Sequence, residues 1–226
     1  MKGYIFDLDD TLYCEHDYVR SGFRAVAREL SETYRRNYPH EHLEHAIYED
    51  MVEEWKQNGR GQIFDVVCRR YGIEKDISLL VNTYRQHVPE NLSLYPDAER
   101  LLNYLKFKRL NRGIITDGDK GVQWRKIKAV ELSKWFETEH MVVTDDLGRE
   151  CWKPSPVPYQ IIAERINLEP SECVYIGDNP HKDFVTAREL GMYTIRVVRP
   201  TGDHMKIQLD RVYEADIVVN SLDELI

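Results

Sequence analysis

Gly3-Tyr4-Ile5-Phe6-Asp7-Leu8-Asp9-Asp10-Thr11 is the stretch whose reading decides the fold. An apolar run from Gly3 to Leu8 stops at acids, the pattern of a short buried strand whose carboxyl end delivers Asp7 and Asp9. The next segment is helical rather than a second strand. Val19, Phe23, Val26 and Leu30 step by four, three and four, which places them on one helical face and predicts a helix from Asp17 to about Asn37. The same rhythm predicts helices around Leu43–Trp55, Ile63–Tyr71 and Ile77–His87, so the region from about Cys14 to Leu92 reads as all-helical.

After Pro96 the rhythm changes. Ala98, Leu101, Leu102 and Leu105 share a helical face, and Gly113-Ile114-Ile115-Thr116 is a short β-branched run. A charged helix is expected from about Gly121 to Glu131, then a strand at Met141–Thr144. Ser155 and Pro156 form an expected cap and first helical position for a helix to about Ile166. Cys173–Ile176 reads as a strand and Phe184–Leu190 as a helix stopped by Gly191. Tyr193–Val197 and Ile217–Val219 complete the strands. Apolar strands alternating with helices mark a parallel sheet covered on both faces. The expected architecture is therefore an α/β unit made of residues 1–13 and 93–226, interrupted after its first strand by a helical insertion, residues 14–92.

Composition narrows the partners. The 31 Lys and Arg against 39 Asp and Glu leave a formal charge of -8, which argues against a nucleic-acid footprint because that needs a basic face. Cys14, Cys68, Cys151 and Cys173 form no C-x-x-C pair, so a zinc ribbon or redox dithiol is not suggested and free thiols are expected. The apolar start is too short for a signal peptide and no run of about 18 apolar residues exists. A cytoplasmic enzyme with no membrane partner is the expectation.

In open α/β sheets ligands bind at the carboxyl ends of the strands. The first strand delivers Asp7 and Asp9, the second Thr116, Asp117, Gly118 and Asp119, the fourth Gly177, Asp178, Asn179 and then Asp183. Lys153 lies in the loop before a helix. Acids gathered at several strand tips repel one another, and a hard dication such as Mg²⁺ resolves that repulsion. Asp7 and Asp178 are the expected direct ligands, with Asp183 and Asn179 behind them.

These residues resemble four motifs of the haloacid dehalogenase superfamily, in its order: Asp7-x-Asp9-x-Thr11, Thr116 before Asp117-Gly118, Lys153 before Pro154, and Gly177-Asp178-x-x-x-x-Asp183. The resemblance implies a Rossmann-like core with strand order 5-4-1-2-3 and an inserted helical cap. It implies a Mg²⁺-dependent phosphatase in which Asp7 attacks phosphorus, forming an aspartyl phosphate. Asp9 would protonate the leaving oxygen, deprotonate water and offer its backbone carbonyl to the metal. Lys153 would hold both the nucleophile and a phosphate oxygen, while Thr11, Thr116, Asp117 and Gly118 surround the phosphate. Asp9 argues against a dehalogenase, which has no leaving alcohol to protonate. Asp117 departs from the family's frequent Asn and adds a negative charge near the phosphate.

The substrate class this implies is a small organic phosphate monoester, a sugar phosphate or nucleoside monophosphate, since a closing cap would disfavour a folded phosphoprotein. A phosphomutase of the same superfamily and a non-catalytic binding protein on the same fold are the alternatives. Arg60, in Gly59-Arg60-Gly61 between two cap helices, is a candidate for reading the leaving group; His16 and Arg20 are weaker candidates. His40, His42 and His45 read as a solvated face, since only His42 and His45 share helical spacing.

Overall fold

The structure, a computed structural model, describes residues 1–34 and 42–226. It divides into two compact units: Met1–His16 with Asn91–Ile226, and Asp17–Glu90.

The first unit is built on six parallel strands: β1 (Gly3–Phe6), β2 (Asn111–Thr116), β3 (Met141–Val143), β4 (Cys173–Gly177), β5 (Tyr193–Val197) and β6 (Ile217–Val219). Their order is 3-2-1-4-5-6, the expected 5-4-1-2-3 read from the other edge with β6 added beside β5. β1 is central, pairing with β2 on one side and β4 on the other. That central position explains why its residues are apolar on both faces. Ile5, Ile115, Val142 and Tyr175 face one layer, packed against Tyr159, Ile162 and Ala163 of one helix and Ala187 of another. Phe6 points the other way and meets Phe136 edge-on at 6.3 Å. Each such buried side chain contributes about 1.5–3 kcal/mol relative to exposure.

The α-helices of the described residues are α1 (Glu15–Tyr34), α2 (Leu43–Asn58), α3 (Ile63–Arg70), α4 (Ile77–Gln86), α5 (Pro96–Phe107), α6 (Lys120–Ala129), α7 (Val157–Arg165) and α8 (Val185–Glu189). The second unit contains α2 to α4 and most of α1. Its core is the predicted stripe of Val19, Phe23, Val26 and Leu30 packed with Ile47, Met51, Val67 and Leu80. Local chemistry starts two of the helices: Asp76 accepts from the Ser78 N–H at 2.8 Å, and Asp119 from the Val122 N–H at 3.0 Å. The expected cap of α7 differs. Pro156 occupies the cap slot with helical backbone angles, and the Ser155 hydroxyl lies 3.5 Å from the Val157 nitrogen. Pro156 has the fixed φ of a helix entry and no N–H to satisfy, so the serine is not required to cap.

Behind the first strand lies a link invisible in the motif pattern. Arg199, after β5, donates to Asp97 at 2.6 Å and to the Thr11 carbonyl at 2.5 Å, and stacks 4.1 Å from the Tyr95 ring. Asp97 also accepts from the Leu222 N–H at 2.7 Å and the Ser221 hydroxyl at 3.0 Å. Burial pushes the Asp97 carboxyl up, but those N–H and O–H donors and the Arg199 charge outweigh it and hold it below its ordinary value. A depressed carboxyl stabilises the fold above its unfolded value of about 4, and that stability is lost as pH falls through the native value. Asp97→Asn is therefore expected to cost on the order of 3 kcal/mol near pH 7. Denaturant titrations of both proteins should show the difference shrinking as pH drops below about 4; a pH-independent difference would contradict the ion pair.

Candidate active site

Asp7 follows β1 directly, its N–H continuing the ladder to the Ile176 carbonyl at 2.8 Å. The chain then turns: Leu12 N–H bonds the Leu8 carbonyl at 3.0 Å, with Asp10 between them in the left-handed region at φ 52. Asp tolerates that region better than most residues. The turn carries Asp9 and Asp10 away from the strand line.

Lys153 is the pivot. Its ammonium is fully buried and has three hydrogens to donate. All three are taken: by Asp7 Oδ1 at 2.5 Å, Asp183 Oδ1 at 2.7 Å and the Tyr175 hydroxyl at 3.0 Å. Tyr175 in turn donates to Asp183 at 3.1 Å. Burial alone would lower the lysine's pKa, but the Asp183 and Asp7 charges outweigh it and push it well above its usual range. Asp183 Oδ2 accepts from the Asn179 N–H at 2.9 Å, which closes the turn after β4. Gly177 makes room for this. A Cβ there would stand 2.5 Å from Asp183 Oδ2, so the spacing Gly177-Asp178-x-x-x-x-Asp183 is a packing requirement as well as a chemical one.

Among the described residues, Asp7, Asp178 and Asp183 form a buried group with one oxygen of each within 4.8 Å of the others. Burial pushes Asp178 well above the carboxylate range, and the Asp183 and Asp7 charges add to it. Burial also drives Asp7 up, to about 7, against the pull of Lys153 and with the push of Asp183. Asp178 Oδ2 is buried without a hydrogen-bond partner, a costly state for a polar atom. Crowded hard oxygens with one orphan fit a hard dication. Asp7 and Asp178 are the acids with oxygen to give, because both oxygens of Asp183 are already bonded.

Asp9 leans elsewhere. Its carboxylate takes Lys126 Nζ at 2.8 and 3.0 Å, Gln123 Nε2 at 2.9 Å and the Tyr13 hydroxyl. Its side chain therefore stands apart from the acidic trio. Burial raises its pKa, but the Lys126 charge and these bonds outweigh it and hold it below the usual carboxylate range. Gln123 also donates to the Thr116 hydroxyl at 2.5 Å. The motif pattern missed Lys126, yet a signal existed: Gln123, Lys126, Ile127 and Val130 are the inward positions of α6 and its end, at helical spacing.

Asp117 carries no unpaired charge into the site. It accepts from the Thr144 hydroxyl at 2.8 Å, the Lys153 backbone N–H at 3.1 Å and Lys182 Nζ at 3.1 Å. Burial pushes it up, but the Lys153 and Lys182 charges and these bonds leave it lowered. Gly118 has φ +133, where a side chain would be strained, and a Cβ would press on Gln123 at 3.1 Å. Asp7, Asp9, Asp117, Asp178, Asn179 and Lys182 line a cavity of ≈140 Å³ with Asp10, Glu15 and His204. His204 is 3.1 Å from Asn179 Nδ2; nothing in the sequence pattern pointed to it. Thr11, Thr116 and Lys153 are buried and outside that lining. A larger hollow of ≈640 Å³, lined by Gln160, Glu164, Asn167 and Glu172, holds none of the sheet-end acids, so the smaller one is the candidate site.

The weaker candidates are placed within their own units. His16 bonds Asp203 at 2.9 Å, and Arg20 pairs with Asp17 at 3.3 Å on its own helix. Arg60 is exposed in the turn after α2 and lines a hollow of ≈250 Å³ in the helical unit with Phe23, Phe64 and Tyr84. His42 and His45 are exposed, and His40 lies outside the described residues.

A family model for haloacid dehalogenase-like hydrolases matches residues 4–197. The chain belongs to that family. A "Glyceraldehyde 3-phosphate phosphatase" of Methanocaldococcus jannaschii is 29% identical, over 100% of this chain and 96% of its own. A protein of the same name from Pyrococcus furiosus is also 29% identical, over 100% and 92%. In structure the chain is similar to the hydrolase YfnB of Bacillus subtilis, solved bound to magnesium: TM-score 0.68, 19% identity, covering 99% of this chain and 96% of that one. That likeness is one of fold.

Gly177→Ala is expected to displace Asp183 and through it Lys153 from Asp7. Misplacement by about 1 Å can cost about 10²-fold in rate. The variant should keep its far-UV circular dichroism and lose turnover by about that factor; undiminished turnover would show that activity does not depend on the Asp183–Lys153–Asp7 chain.

Proposed function

We propose that this haloacid dehalogenase-like hydrolase is a Mg²⁺-dependent phosphatase acting on a small organic phosphate monoester, with Asp7 as nucleophile. The observation that carries this reading is the buried Asp7 carboxylate, bonded to Lys153 at the central strand's end and next to an Asp178 oxygen with no partner. The names of the relatives support the substrate class and make glyceraldehyde 3-phosphate the first ester to test.

In the first step an Asp7 oxygen forms a bond to phosphorus as the ester P–O bond breaks, and Asp9, having taken up a proton from water against the pull of Lys126, gives it to the leaving oxygen. In the second, water attacks phosphorus, the Asp7 P–O bond breaks and the water proton passes to Asp9. Between the steps Asp9 is ionised, the form that Lys126, Gln123 and Tyr13 stabilise. Such acid–base help contributes roughly 10²–10⁴-fold. Lys153 fixes the attacking carboxylate's direction, held itself by Asp183 and Tyr175. Asp7, Asp178 and the Asp9 backbone carbonyl would hold a dication, which when bound would neutralise charge at the attacked phosphoryl group. The helical unit enters the sequence after the first strand, the place of a cap, and we assign it that role. The four cysteines are thiols, which suits a cytoplasmic setting.

Asp7→Asn should leave the thermal melt intact and reduce phosphate release by at least about 10⁴-fold. EDTA should stop the wild-type reaction and Mg²⁺ restore it. Full turnover in EDTA, or in Asp7→Asn, would overturn the proposal. Return of the phosphoryl group to a second substrate hydroxyl, with no free phosphate, would make the protein a phosphomutase instead.

A further inference from the structure

Lys126 lies on the inward face of α6, one turn beyond Gln123 and next to Ile127, and all three are buried. Packing alone would be served at this position by an apolar side chain, and a buried ammonium is costly unless an acid meets it. The acid that meets it is Asp9: Lys126 Nζ lies 2.8 Å from Oδ1 and 3.0 Å from Oδ2. Glu15 stands farther from the same ammonium, at 3.6 Å. Gln123 adds a second hold. Its Nε2 donates to Asp9 Oδ2 at 2.9 Å and to the Thr116 hydroxyl at 2.5 Å, which ties the Asp9 side chain to the end of β2.

β1 ends at Phe6, and Asp9 lies in the turn beyond it, so the strand ladder does not aim its side chain. A helical side chain 117 residues later in the chain does. Groups built on helices hold a geometry more closely than groups on loops. We propose that Lys126, helped by Gln123, is the positioning residue of the acid–base group, fixing the direction in which Asp9 delivers a proton and takes one back. This assignment rests on the phosphatase reading of the same cavity. In the first step the Asp9 O–H bond breaks as an O–H bond forms on the leaving oxygen, and the electron pair left on Asp9 faces Lys126. In the second an O–H bond of water breaks as its oxygen attacks phosphorus, and the proton goes to Asp9.

A structural role is the rival: Lys126 could merely hold α6 and the turn after β1 together. The probe is glyceraldehyde 3-phosphate with Mg²⁺, in a double-mutant cycle of Lys126→Met with Asp9→Asn. Lys126→Met should lower kcat by about 10²-fold, the cost of a misdirected group, with KM little changed, and Lys126→Arg should recover part of the loss. With Asp9 already replaced, Lys126→Met should bring no further loss of that size. That comparison stands even where Lys126→Met alone fails to fold, because the double variant leaves no buried carboxylate unpaired. An aryl ester that the wild type accepts, such as 4-nitrophenyl phosphate, adds a second readout, since its leaving group departs without a proton. Its pre-steady-state release should be slowed less than release from the alkyl ester. Undiminished kcat in Lys126→Met, a raised KM with kcat retained, the same loss in both backgrounds, or equal slowing of both esters would overturn the assignment while leaving the phosphatase reading intact. A wild-type protein that releases no phosphate from any small ester would overturn both.

Discussion

A single buried ammonium organises this site. Lys153 sits where the carboxyl ends of β1 and β4 meet, and its three hydrogens bind Asp7 just past β1, Tyr175 from β4 and Asp183 from the turn beyond β4. A lone buried cation would be prohibitively costly, and so would three buried acids. Placed together they tolerate one another, although imperfectly: Asp7 and Asp178 keep raised pKa values because burial and neighbouring negative charge are not fully offset. On the proposed reading, that residual imbalance is what a dication at Asp7 and Asp178 would relieve.

The fold holds that arrangement at the middle of the sheet. β1 has neighbours on both sides, so its end is fixed by two ladders. The loop after it is tied from behind by Arg199 through the Thr11 carbonyl. The result is a division of labour. Lys153 and Asp183 are fully bonded, whereas Asp178 keeps an oxygen with no partner.

The motif residues are legible in the sequence because their chemistry is unusual at strand ends: Asp7, Asp9, Thr116, Lys153, Asp178 and Asp183 each stand where an apolar run stops or a loop precedes a helix. The parallel sheet is legible from the alternation of β-branched runs with helical spacing. The supporting cast is not. Lys126 lies in a helix crowded with Arg125 and Lys128, and only the inward stripe through Gln123 and Ile127 marks it. Lys182 looks like any surface lysine until Asp117 is seen beside it. Arg199 reaches back across nearly the length of the chain to Thr11, and His204 meets Asn179 from a separate loop, pairings that periodicity does not encode. The motif pattern marks Lys153 as a partner of Asp7, but not the Tyr175 hydroxyl that shares its ammonium with Asp183.

The central claim is that the carboxylate held by Lys153 is the one that becomes phosphorylated. Rapid acid quench during turnover, followed by borohydride reduction and peptide mass spectrometry, tests it directly, because reduction converts an acyl-phosphorylated aspartate to homoserine. Homoserine is predicted at position 7, in an amount that rises and falls with turnover. Reduction at any other acid, or at none while phosphate is still released, would contradict the claim.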